Sequence, residues 1–369
     1  MWEELVRIES GGKLGATDLV WYPDASVAMQ AYAESSNAAR TCNASSGVSY
    51  FRLADSGIDG HLHLVNGSDT LDWISPYCPS LLPPSASTDG KKVLFDATAS
   101  EILGHSAMPP GSYPTVDVFC WDHLHAGATT QLALALVSAA KIFESGNFPK
   151  HVLAAARTDL LAESSKLRAL RHLLGHLWAL HSDSDPEVSI TAITSTVGLS
   201  AADAENNMIR NSVAGIAGIL GTADFLAIQP WNVFQSGYCD SGAANLSHNL
   251  FYLLCDESQL DKIADPLAGS YAIETLTDRL IQSGWDLFLE LRTSTPSQVA
   301  TLLNDRLLPA DRLNYAQGGR HQTGKGGRVQ IGVTDFTRTG NPILNDGGRV
   351  FPLPTTFEFI CRIGGHETP

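Results

Sequence analysis

The sequence is short of basic residues, has no close cysteine pair and contains no long apolar run. Lys and Arg number 24 against 39 Asp and Glu, a formal net charge of −15. A surface of that sign repels phosphate backbones and anionic lipid, which argues against nucleic-acid or membrane-surface binding. Its six cysteines, Cys42, Cys78, Cys120, Cys239, Cys255 and Cys361, include no C-x-x-C pair. They read as reduced thiols rather than a disulfide framework or a zinc knuckle, which fits a cytoplasmic setting. The opening Met1-Trp2-Glu3-Glu4-Leu5 carries acid where a secretory signal needs base and then apolar residues. No apolar run reaches the ~18 residues of a membrane span. Also missing are G-x-x-x-x-G-K-[ST], a strand-borne G-x-G-x-x-G and a G-x-S-x-G elbow, so neither a nucleotide cradle nor a serine nucleophile announces itself. The glycines Gly318, Gly319, Gly324, Gly326 and Gly327 sit in a polar stretch with no helix opening behind them and read as a flexible connection.

What is present is a core-forming chain of 369 residues, 44% hydrophobic, with alternating strand and helix signals. Strands are expected at Val48–Leu53, His61–Val65, Lys92–Asp96, Thr115–Trp121, Ser189–Thr194, Phe225–Gln229, Lys262–Ala264 and Gly327–Val333. Helices are expected at Trp2–Ile8, Gln131–Phe143, Thr158–Leu180, Asp203–Leu220, Leu246–Cys255 and Tyr271–Arg292. In the helix from Thr158, leucines 160, 167, 170, 174 and 177 share a face and Lys166, Arg168, Arg171, His172 and His176 lie elsewhere. The helix 203–220, with Ile209, Val213, Ile216, Ile219 and Leu220, is apolar over more than one stripe, serving the core alone or core and interface together. Repeated strand-then-helix units predict parallel strands with crossover helices, and eight strand candidates favour a closed (β/α)8 TIM-type barrel, regular or degenerate, over an open sheet. The Pro/Ser-rich stretch 75–90 reads as a loop. Residues 1–45 read as an N-terminal arm, 46–336 as the barrel and 337–369 as a C-terminal tail.

Three histidine pairs are candidate sites. His172 and His176 have the i, i+4 spacing of a zinc site but no third ligand nearby, so a solvated polar face is the expectation. His61 and His63 alternate along a strand. His123 and His125 follow a predicted strand, where barrels place their chemistry, so they stay as the candidate strand-end site, with packing or capping the plainer role.

One segment is far more specific. Residues 261–277 read DKIADPLAGSYAIETLT. This resembles the D-P-x-x-G-S-Y-x-x-E-x-L-T signature of the methylmalonyl-CoA mutase family, through Asp265, Pro266, Gly269, Ser270, Tyr271, Glu274, Leu276 and Thr277. In physical terms it is scaffold: Pro266 ends a strand, Gly269 allows a tight turn and Ser270 caps the next helix. Asn249–Glu257 (NLFYLLCDE) resembles the helix before that motif, with His248 where Arg is usual. Asp203–Asn211 (DAENNMIRN) resembles the family's D-x-x-N-N-x-x-R segment. Ala126-Gly127-Ala128 resembles the end of its H-x-A-G-A element, with Leu124 in place of the His. Leu167–Leu170 (LRAL) fits the family's helix there as a weaker match.

The resemblance implies a catalytic strand bearing H-x-Q-T-S, whose His is the general acid at the migrating thioester carbonyl. Here the strand reads Thr191-Ala192-Ile193-Thr194-Ser195, so Thr191 stands for the His and Ile193 for the Gln. The family's substrate segments, Tyr-Pro-Thr-x-Tyr and Arg-Pro-Trp, have no counterpart. The D-x-H-x-x-G loop of its cobalamin-binding domain is not found either, and the sequence stops before such a domain. The expectation is therefore a small, non-catalytic subunit with no catalytic residue and no metal or cofactor of its own. It would pair as a heterodimer with a catalytic mutase chain that holds adenosylcobalamin and interconverts succinyl-CoA and methylmalonyl-CoA. An isomerase chain that uses a separate cobalamin-binding subunit, and an acyl-CoA-binding module, remain as alternatives.

Overall fold

The computed structural model describes residues 20–29, 96–103, 112–200, 203–233, 241–317 and 329–331, the backbone of short strands between 49 and 95, and a few residues before 16. A two-stranded antiparallel hairpin, β1 (Trp21–Asp24) and β2 (Val27–Met29), precedes the main sheet. The sheet holds β3 (Ser49–Tyr50), β4 (Arg52–Asp55), β5 (His61–Asn66), β6 (Asp69–Ile74), β7 (Lys92–Phe95), β8 (Ser112–Asp117), β9 (His151–Ala156), β10 (Ser189–Thr194) and β11 (Phe225–Ala227). Their order is β3-β11-β10-β9-β8-β7-β6-β5-β4. Neighbours from β6 through β11 to β3 run parallel. β4, β5 and β6 form an antiparallel meander. This is an α/β fold, but it departs from an all-parallel pattern because the short turn between β5 and β6 leaves no room for a crossover helix.

The helices are α1 (Ala97–Ile102), α2 (Phe119–His123), α3 (Ala128–Glu144), α4 (Leu160–Ala179), α5 (Asn206–Leu220), α6 (Ser241–Tyr252), α7 (Tyr271–Leu291), α8 (Pro296–Leu302) and α9 (Leu308–Ala316). A π-turn, Leu253–Glu257, extends α6. β9 and β10 are buried at every position after the first, as expected for parallel strands covered on both faces. Side chains alternate across the sheet. Ile190 and Ala192 of β10 join the helix-side core, which leaves Thr191 and Ile193 on the opposite face of the sheet. Glycines let the layers approach. A Cβ on Gly218 of α5 would stand 3.0 Å from that of Ala192, and one on Gly284 of α7 would stand 3.0 Å from that of Leu132 in α3. Among the described residues no helix is long and apolar enough to cross a membrane.

Several sequence expectations change. The strand expected at Thr115–Trp121 is Ser112–Asp117, and the chain turns into α2 at Phe119. Lys262–Ala264 is a bend rather than a strand, and no described strand pairs with it. Ile331 makes only an isolated bridge, and most of the expected strand 327–333 lies outside the described residues. So do most of the arm, the loop 75–90, the glycine-rich stretch and the tail 337–369. β6, β9, α8 and α9 were not anticipated. Cys120 and Cys255 are free and buried.

Candidate functional site

The site to inspect is the carboxyl end of β8 to β11, where parallel strands deliver side chains to a common rim. β8 leads into α2, which sets Asp122 fully buried beneath the rim. β9 ends at Ala156 and presents Arg157. β10 ends at Thr194 and presents Ser195. The three meet: Arg157 Nε donates to Asp122 Oδ1 at 2.5 Å, and the Ser195 hydroxyl donates to Asp122 Oδ2 at 2.5 Å. Arg157 Nη2 also donates to the Ala126 carbonyl at 3.0 Å. Burial pushes the Asp122 carboxyl up, but Arg157, Lys166, His123 and the Ser195 hydrogen bond outweigh it and hold it below the usual carboxylate range. Burial works against the Arg157 charge, yet Asp122, Glu163 and Tyr315 raise its pKa further. This is a permanently ionised, internally satisfied pair with no proton to give near neutral pH.

The two strand-end histidines sit beside it. His123 places Nδ1 3.3 Å from the Phe119 carbonyl and packs edge-on against the Phe119 ring. Burial lowers its pKa, although Asp122 opposes. His125 has a left-handed backbone, φ 62°, and is 2% exposed. Burial first, and then Arg157, push it down to about 3. Both imidazoles are therefore neutral near pH 7, and packing is the role the geometry gives them.

Helix α9 covers this end. Asp311 Oδ2 accepts from the Gly127 N–H and the Thr130 hydroxyl, both at 2.8 Å. Arg312 Nε donates to the Leu124 carbonyl at 3.1 Å, and the Tyr315 hydroxyl to that of Val197 at 3.3 Å. The Tyr315 ring meets His125 edge-on at 4.9 Å and lies 5.6 Å below the Arg157 guanidinium.

Thr191 and Ile193 lie deeper, both fully buried within β10. Thr191 pairs in register with Leu153 and Phe225, and Ile193 with Ala155 and Ala227. The Thr191 hydroxyl has no hydrogen-bond partner. A threonine hydroxyl is too weak an acid to serve as a general acid near neutral pH, and the Ile193 alkyl chain donates nothing.

The D-P-x-x-G-S-Y segment is tied to α4 through Arg168. Arg168, fully buried in α4, donates to Asp265 and, at 3.0 Å, to Glu274 Oε1. The Gly269 N–H donates to that same oxygen at 2.9 Å, from a backbone at φ 81°. Pro266 follows Asp265 in the turn ahead of Gly269 and ends no strand. Ser270 takes the N-cap position of α7 ahead of Tyr271, but its side chain makes no capping bond there. The cap is supplied by Glu274 reaching back to Gly269. Lys166 is equally buried and ties Glu163 at 2.6 Å, Gln131 at 3.0 Å and the Ala155 carbonyl at 2.9 Å together. Lys166 and Arg168 thus belong to the core rather than to a separate polar face. In the Asp203–Asn211 segment, Asn207 Nδ2 donates to the carbonyls of Ser200 and Trp231, both at 2.9 Å, and fixes the loops after β10 and β11.

The remaining candidates separate from this rim. His172 and His176 line a groove of about 830 Å³ on the helix layer with Trp285 and Asp185; His176 is exposed and meets the Trp285 ring edge-on at 5.0 Å. Among the described residues no group of three or more His, Cys, Asp or Glu side chains could hold a metal ion. His61 and His63 fall in β5, of which only the backbone is described.

Comparison with known proteins matches residues 151–342 to the methylmalonyl-CoA mutase family model. The methylmalonyl-CoA mutase small subunit of Streptomyces virginiae is 32% identical over 188 residues, covering 49% of this chain and 29% of that protein. The probable small subunit of Mycobacterium bovis is 30% identical over 264 residues, 65% of this chain and 41% of that protein. The methylmalonyl-CoA mutase of Escherichia coli is 32% identical over 129 residues, 34% of this chain and 18% of the enzyme. The chain thus spans less than half the length of these relatives. With the family model covering just over half of its residues, the chain belongs to the methylmalonyl-CoA mutase family, on the side of the small subunits.

Proposed function

We propose that this chain is a non-catalytic subunit that pairs with a catalytic methylmalonyl-CoA mutase chain, the partner performing the succinyl-CoA/methylmalonyl-CoA interconversion. The observation that carries this is Thr191. It stands on the face of β10 away from the helix-side core, at the position that the family resemblance gives to the general acid, and its hydroxyl has no base beside it. Ile193, two residues on, has no hydrogen-bonding group at all. Neither strand-end imidazole is presented to a cobalt ion: His123 lies against its own helix carbonyl and His125 is packed under Tyr315. The cofactor is accordingly assigned to the partner. The sheet order supports a closed eight-stranded barrel as the framework. β3 and β4 stand at opposite ends of that order yet lie one residue apart in the sequence, which brings the two edges together.

The test is to purify the chain alone and together with a cobalamin-binding mutase chain from the same source. A stable 1:1 complex, active only when the partner is present, is the expected outcome. Failure to associate with a mutase chain would refute the proposal.

A further inference from the structure

Helix α9 keeps its place over the rim with little apolar burial. Val299 of α8, Leu303 in the turn that follows and Leu308 at the start of α9 are buried apolar anchors. Beyond Leu308 the only buried side chain of α9 is a carboxylate, Asp311. The remaining bonds run to backbone carbonyls of three separate segments: Arg312 to Leu124, Asn314 Nδ2 to Tyr22 at 3.3 Å, and Tyr315 to Val197. Bonds of that kind are readily exchanged for bonds to water, and apart from the Tyr315 ring little apolar surface is uncovered when they break. A π-turn, Leu303–Leu307, joins α8 to α9. It interrupts the i→i−4 ladder, and helices bend at such points. The half beyond the turn can therefore swing while α8 stays anchored.

Asp311 fastens the swinging half to the N-terminus of α3, where it accepts from the Gly127 N–H and the Thr130 hydroxyl. A helix N-terminus favours a carboxylate, but here two compete for it. Asp24 of the N-terminal hairpin accepts from the Thr129 N–H in the same turn, and a Cβ on Gly127 would collide with both carboxylates. Both are buried. Of the other charged or titratable groups nearby, Arg157 after β9 is committed to Asp122, Arg312 and Tyr315 stand on α9 itself, and His125 before α3 is neutral. The first turn of α3 contributes none, and β1 meets α9 through the Tyr22 carbonyl. Among the described residues neither Asp24 nor Asp311 forms an ion pair, so a charge on Asp311 faces a like charge across Gly127. Burial and then Asp24 raise the Asp311 carboxyl from 3.8 to about 6 while it is held there. In water it returns to the ordinary carboxylate range. A group with a higher pKa closed than open favours the closed form at low pH, and that preference is lost as pH rises through about 6.

We infer that α9 is a lid over the strand-end rim, hinged at Leu303–Leu307 and latched at the N-terminus of α3, and that loss of the Asp311 proton loosens the latch. Opening uncovers Arg157 and His125 beneath Tyr315. The lid stands independently of the subunit role. The test is hydrogen–deuterium exchange of the full-length chain at pH 5 and pH 8, corrected for intrinsic exchange, following α9 and, for comparison, α3. In wild type the opening equilibrium of α9 is expected to exceed that of α3 at both pH values and to be about tenfold larger at pH 8 than at pH 5. Asp311→Asn keeps an acceptor without the charge and should cut that pH ratio to less than twofold. Arg312→Ala removes the bond to Leu124 and should raise α9 opening at both pH values with the tenfold ratio kept. Exchange of α9 only in step with α3 would overturn the lid. Wild-type opening that does not change with pH, or an Asp311→Asn chain with the wild-type pH ratio, would overturn the latch.

Discussion

Replacing Asp311 with Asn should stabilise the protein at pH 8 by about twice as much as at pH 5. Asp311 of α9 is 7% exposed and shares the first turn of α3 with Asp24, which accepts from the Thr129 N–H at 3.1 Å. The two carboxylates converge on one point: a Cβ on Gly127 would meet Asp24 Oδ2 at 2.5 Å and Asp311 Oδ1 at 2.6 Å. Burial first, and then Asp24, raise the Asp311 carboxyl from 3.8 to about 6, against the Gly127 and Thr130 hydrogen bonds and the more distant Arg157. A folded pKa above the unfolded one stabilises the folded state at low pH, and that stabilisation disappears as pH climbs from about 4 through about 6. A gap of roughly two units corresponds to about 3 kcal/mol. Asn keeps an oxygen for Gly127 and Thr130 and turns an N–H toward Asp24, so it removes the repulsion without losing those bonds. Urea unfolding of both proteins at pH 5 and pH 8 is the assay, with a gain of about 3 kcal/mol expected for the variant at pH 8 and about half of that at pH 5. Asp96, also raised to about 6 by burial, contributes a pH trend to both proteins and cancels in the difference. A variant that is less stable at pH 8, or whose advantage does not change with pH, would refute this account of the α9 contact.

Three further outcomes follow from the core. Arg168→Met strands Asp265 and Glu274 without their buried cation and should cost about 3–5 kcal/mol in chemical denaturation, or prevent soluble expression. Gly284→Val pushes a side chain into Leu132 and should cost about 1–3 kcal/mol, read as a lower melting temperature. Asp122→Asn leaves Arg157 buried without a counter-charge and should destabilise by roughly 2–4 kcal/mol at pH 7. Because Asp122 is scaffold, the partner complex, once formed at a temperature where the variant is folded, should turn over at the wild-type rate.

The sequence showed β10 and its telltale Thr191 and Ile193 because that information is local to a single strand. The D-P-x-x-G-S-Y turn was legible for the same reason. β9 was not: HVLAAA is buried on both faces, so it lacks the alternation that marks a half-exposed strand, and its alanines favour no particular element. Lys166 and Arg168 read only as lying off the leucine face because their partners lie on other elements. The Arg168 bond to Glu274 spans 106 positions, and the Lys166 bond to Gln131 spans 35. The rim was half legible. His123 and His125 pointed to this strand end, where the charged centre is Asp122 with Arg157 and Ser195, the last 73 positions from Asp122 in the chain. That α9 returns to cover the rim has no local signature at all.

The proposed subunit role has this polypeptide unable to run the rearrangement by itself, since β10 carries Thr191 where the family resemblance places a histidine. The direct measurement is methylmalonyl-CoA isomerisation by the purified chain with added adenosylcobalamin. No turnover above background is expected from the chain alone, with activity appearing once a catalytic mutase subunit is supplied. Product formed by the isolated chain, and diminished by Thr191→Val, would contradict it.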